Sequence, residues 1–151
     1  MKKQKTSRIA ANYYLFLEDA PVIEGALMDI PTKTKKSVIN EQIRINISGN
    51  PIDDLKKEPL DIALIFHVNK QRFKHQDLDN VAKIVLDALQ KPKDPQDKRA
   101  YFFENDNQIV RLLLQKMERE EDPDSETSMV SISIRKYEPE KGMVLKESKM
   151  N

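Results

Sequence analysis

Two carboxylates stand two residues apart in Asp77-Leu78-Asp79-Asn80, at the junction of a strand exit and a helix start. Phosphodiester hydrolysis needs such a pair, because charge develops on the attacking and leaving oxygens and divalent cations held by carboxylates neutralise it. The same two acids also fit a plainer role. Asp77 suits the N-cap of the helix that follows, and Asp79 suits the positive end of its dipole.

Three further residues add to the pair. Lys83 lies one turn after Asp79 and either stabilises transition-state charge or forms an ordinary helix pair worth about 0.3 kcal/mol. Asp106, in Glu104-Asn105-Asp106-Asn107-Gln108, stands at the entrance to a strand as a third carboxylate or a simple turn acid. Asp87 continues the Asp79–Lys83 face by another turn, where a solvated acid is equally at home. Asn80 and Asp87 are expected to support the carboxylates from behind. Between Asp61 and Asp77 there is no acid, while Lys70, Arg72, Lys74 and His75 fall there. This cluster reads as phosphate contacts beside a metal site, or as a solvated basic loop. Lys2, Lys3, Lys5 and Arg8 make a second basic cluster, a DNA-binding arm or a solubilising terminus.

The elements that must position these groups follow from periodicity. Alternation predicts strands over residues 43–48, 60–68, 110–114 and 130–135, with a β-prone stretch at 13–17. Val81, Ile84, Val85, Ala88 and Leu89 form one helical stripe, predicting a helix over 78–90 that Pro92 ends. Residues 92–104 read as a loop and 121–125 as a turn. Residues 19–40 carry little signal beyond a short helix near 33–41. The fold class is α/β (α+β): a small mixed sheet with one main helix packed on it. Residues 1–137 are expected to form one domain, and 138–151 a flexible polar tail.

Composition narrows the chemistry. The 151 residues are 38% hydrophobic and 34% charged, enough for one domain with its own core. With no cysteine and only His67 and His75, disulfides and thiolate sites are excluded, and any metal is expected to be held mainly by carboxylates, which favours hard cations such as magnesium or manganese. The net charge of +1 confines DNA contact to local clusters. No apolar run is long enough to cross a membrane, and the basic N-terminus is followed by no signal-peptide stretch, so a soluble cytoplasmic protein is expected. With three glycines there is no phosphate-cradling loop. Asn105-Asp106-Asn107 lacks the glycine and terminal glutamate of a calcium loop, and no motif supports a serine triad.

Taken together, Asp77-Leu78-Asp79-Asn80, Lys83, Leu86-Asp87-Ala88-Leu89 and Asp106-Asn107-Gln108-Ile109 resemble the RusA family of Holliday-junction resolvases. The likeness spans residues 60–136, about half the chain. It implies a RusA-like α/β homodimer that cuts four-way DNA junctions in recombination and repair with magnesium, manganese being a substitute. It implies metal-ligand roles for Asp77, Asp79 and Asp106 and a supporting catalytic role for Lys83. Family members often carry two adjacent aspartates before the glutamine; here Asn105 fills the first place, which weakens a fourth-ligand role there and leaves Asp106 in place. The 91–104 loop is long for the family, and residues 1–40 match it poorly. Two other functions stay open: a non-catalytic DNA-binding or assembly protein of the same fold, and a nuclease preferring flaps or other branched DNA.

Overall fold

The computed structural model describes residues 13–20, 22–28, 41, 55–98, 101–118 and 127–147. In chain order the elements are β1 (Tyr13–Leu17), β2 (Val22–Met28), β3 (Leu60–Val68), α1 (Lys70–His75), α2 (Leu78–Leu89), a 3-10 turn (Asp106–Gln108), β4 (Ile109–Glu118), β5 (Thr127–Lys136) and β6 (Met143–Glu147). Four strands form a mixed sheet in the order β2-β5-β3-β4, and β1 pairs with β6 in a separate two-stranded sheet. The expected small mixed sheet with a main helix is the architecture found. The strand expected at 43–48 and the turn at 121–125 lie outside the described residues, as does the helix near 33–41 apart from Glu41, which is helical.

β3 is central and reads as a strand covered on both faces: of its nine residues only His67 is not fully buried. It pairs antiparallel with β5, setting Ile62 beside Ile134, Leu64 beside Ile132 and Phe66 beside Val130. It pairs in parallel with β4, with a bulge where Leu60 and Asp61 meet Ile109 and Arg111. The apolar stripe of α2 buries Val81, Val85, Ala88 and Leu89 against this face, and Phe102 and Phe103 close the core at the helix's far end. There the Phe102 N–H donates to the Leu89 carbonyl at 2.8 Å, so the loop after Pro92 returns to cap the helix.

The opposite face of the sheet carries a buried charge network. The Asp61 carboxylate is fully buried and accepts a two-pronged contact from Arg111 (2.8 and 2.7 Å) and a third bond from Arg135 Nε at 2.9 Å. Arg135 also donates to the carbonyls of Glu18 and Gly142, and Arg111 to that of Glu138. These bonds tie the turns beside β1 and β6 to the main sheet. Phe16 of β1 packs on Ile65 and Met117, and Gln115 brackets Leu15, accepting from its N–H and donating to its carbonyl.

Three elements depart from the expectations. β2 falls in a stretch that carried little signal. α1 falls in what read as a basic loop. β6 falls in what read as a polar tail, with Leu145 in register with Leu15 in the β1–β6 pair.

Candidate metal and DNA-binding site

β3 ends at Val68, and Asn69 caps the next helix, its Oδ1 accepting from the Arg72 N–H at 2.8 Å. α1 is six residues long and buries none of them. It has no apolar stripe, so its ends hold it in place. At its C-terminal end the Lys116 ammonium, reaching across from β4, donates to the carbonyls of Phe73 and Gln76 at 2.8 Å each. That ammonium lies 5.7 Å from the centre of the Phe73 ring.

Asp77 follows as the N-cap residue of α2, with extended backbone, but its side chain makes no capping hydrogen bond. One of its oxygens accepts from the Asn80 amide at 3.1 Å. A hydrogen bond shared with Asp79, together with the repulsion between the two carboxylates and slight desolvation, raises the Asp77 carboxyl above its ordinary value; the Lys116 charge works in the other direction. Oxygen donors alone, exposed to solvent and crowded together, suit a hard divalent cation such as magnesium.

The other candidates fall in three places. Lys83 and Asp87 are exposed on the outer face of α2 beyond Asp79, and the cation acting on Asp77 is Lys116. Lys70, Lys74 and His75 are exposed on α1, with Arg72 half-buried, directly before the carboxylate pair. Asp106 lies elsewhere. It starts the 3-10 turn before β4, whose first residue pairs with Leu60 at the start of β3, whereas the Asp77 pair follows the end of β3. From Ile109 to Lys116 is seven residue steps along β4, about 23 Å. Asp106 and the Asp77–Asp79 pair therefore sit at opposite ends of the sheet. Among the described residues no three His, Asp or Glu side chains gather into a ready-made metal site.

Asp106 is nonetheless held firmly. Gln108 accepts from the N–H groups of Glu104 and Asn105 at 2.9 Å each and donates to the Glu58 carbonyl at 2.8 Å, while Asn105 accepts from the Asn107 N–H at 3.0 Å. The reciprocal bonds of Asn105 and Gln108 form a capping box that presents an exposed Asp106 at a fixed turn.

Sequence reasoning missed Lys116. Its signal was a lysine in the alternation Val110, Leu112, Leu114, on the face that points to α2. Gln108 stood inside the quoted motif, but its clamping role needed coordinates.

Fold and site together describe a small α+β domain that presents paired carboxylates at a helix start behind a cationic segment. Residues 30–135 match the family model described as endodeoxyribonuclease RusA, and the chain belongs to that family. By family it is an endodeoxyribonuclease. Among curated proteins none matches the chain. No helix among the described residues is long and apolar enough to cross a membrane.

Proposed function

We propose that the chain is a magnesium-dependent, structure-selective endonuclease that resolves four-way DNA junctions as a two-fold dimer. The observation that carries this reading is the Asp77–Asp79 pair: two exposed carboxylates held together at a helix start, with Asp77 left uncapped. Asp77 and Asp79 would hold the cation, which when bound supplies charge neutralisation and an activated water. Lys116 keeps the turn closed beneath them, and the cations of α1 orient the phosphate backbone.

The position of Asp106 supports a site shared between subunits. β4 is the outer strand of the described sheet, with Val110 and Leu112 exposed. A two-fold axis that sets two β4 strands antiparallel, side by side, brings Asp106 of the partner subunit to the end where Asp77 and Asp79 stand. Two such sites at fixed separation match the two-fold symmetry of a four-way junction.

The direct test is cleavage of four-way, flap and linear DNA with and without magnesium. Paired, magnesium-dependent cuts in the four-way junction are expected. Binding without cutting in any metal would favour a non-catalytic role, and stronger cutting of flaps a different branch preference.

A further inference from the structure

α1 is an unusual helix: six residues, none buried, held through Asn69 at one end and Lys116 at the other. Its single aromatic residue, Phe73, is 39% exposed, placing it among the few large apolar side chains left open to solvent. Core packing does not account for that position. The Lys116 hydrogen bonds go to backbone carbonyls, which any residue at this position would supply.

Three observations say what the ring faces. The Lys116 ammonium, on a half-buried side chain, sits 5.7 Å from the ring centre, so a cation backs the ring. Lys70 and Lys74 share the exposed helix with it, His75 follows at its end, and the helix contains no acid. The Asp77–Asp79 pair begins four residues on, and Lys116 holds the carbonyls of both Phe73 and Gln76, the residue before Asp77, so ring and carboxylates flank one clamp. An exposed aromatic side chain on a lysine-bearing helix is an arrangement that takes a nucleobase by stacking and its flanking phosphates by charge.

A base inside continuous duplex already stacks on both faces and offers none to a side chain. A base at a branch point, where stacking is interrupted, offers one. We propose that Phe73 stacks on an unpaired or unstacked base at the branch of the DNA substrate and is thereby a determinant of branched over linear DNA. The inference rests on the nuclease reading above and adds a binding residue to it. The cations of α1 contribute affinity for both kinds of DNA; Phe73 contributes the difference.

The test compares binding of the full-length protein to a four-way junction and to linear duplex of the same length, in calcium so that nothing is cut. Phe73→Ala should weaken junction binding by about tenfold and leave duplex binding within about twofold, with Phe73→Tyr recovering most of the loss. The chain contains no tryptophan, so Phe73→Trp gives a single reporter whose emission should be quenched by the junction and little changed by the duplex. Equal losses on both DNAs, or equal quenching by both, would overturn the inference. Circular dichroism on each variant separates these outcomes from misfolding, and the Trp variant reports stacking even where Phe73→Ala folds poorly. If the wild-type protein itself neither prefers nor cuts branched DNA, the nuclease reading fails first. If it does both, and Phe73→Ala discriminates as well as wild type, only the role of Phe73 fails.

Discussion

The Lys116 ammonium donates to the Gln76 carbonyl at 2.8 Å, and Gln76 is the residue immediately before Asp77. A lysine on the sheet thus fixes the turn from which both candidate metal ligands project. Hydrogen bonds from a charged donor are among the stronger ones, about 1.5–3 kcal/mol each, so the clamp is substantial for a helix that buries nothing.

Lys116→Met keeps the alkyl stem and removes both bonds. Cleavage is expected to fall at least tenfold while junction binding changes less than about threefold, since the phosphate contacts of α1 remain. Lys116→Arg, which retains donors and charge, should recover part of the rate. Single-turnover cleavage and gel-shift titration check this. Equal losses in rate and binding would make Lys116 a general structural residue.

Asp77→Asn, Asp79→Asn and Asp106→Asn should each abolish cutting and leave binding without metal equal or tighter, because carboxylates near a phosphate repel it when no cation is present. Cutting should need magnesium or manganese and stop in excess chelator. Lys83→Ala should lower the rate more than the binding; no change would leave Lys83 as a surface residue of α2.

Asp61 should govern acid stability. Burial pushes its carboxyl upward, but the hydrogen bonds and charges of Arg111 and Arg135 together outweigh that and hold it below its ordinary value. A carboxyl lowered on folding stabilises the protein above its unfolded-state value and loses that contribution as pH falls through the folded-state one. Stability should therefore decline below about pH 4. Asp61→Ala strands two arginines, one of them 6% exposed, and should cost about 3 kcal/mol at neutral pH while flattening the acid decline. Urea denaturation at several pH values measures both effects.

Gln108→Leu leaves two N–H groups and one carbonyl without their partner at the Asp106 turn. It should destabilise the protein by about 1–3 kcal/mol and reduce cleavage further than that loss of folded protein explains. A full cleavage rate in the folded variant would show that Asp106 needs no such clamp.

How much of this was legible depends on what kind of force holds each piece. β3 and α2 are held by burial, which writes periodicity into the sequence, and both were read nearly to the residue. α1 is held by side chain-to-backbone bonds from Asn69 and Lys116 and leaves no stripe to read. β2 (Val22–Met28) contains Gly25 and does not alternate, and β6 pairs with β1 from the far end of the chain. The carboxylate pair and the basic run before it were legible because local spacing carries them. The separation of Asp106 was not, because it depends on β4 lying parallel to β3, which returns the start of β4 to the end of the sheet away from Asp77.

The most direct test mixes two inactive proteins. Asp79→Asn and Asp106→Asn subunits are purified separately, shown to be inactive, then allowed to exchange. If each site takes Asp77 and Asp79 from one subunit and Asp106 from the other, every mixed dimer gathers both defects into one site and leaves the second intact. Equal mixing should then restore nicking of the four-way junction to about a quarter of the wild-type site number, half the dimers being mixed with one working site each. If subunit exchange is verified and the mixture cuts no better than its parents, the shared site is wrong.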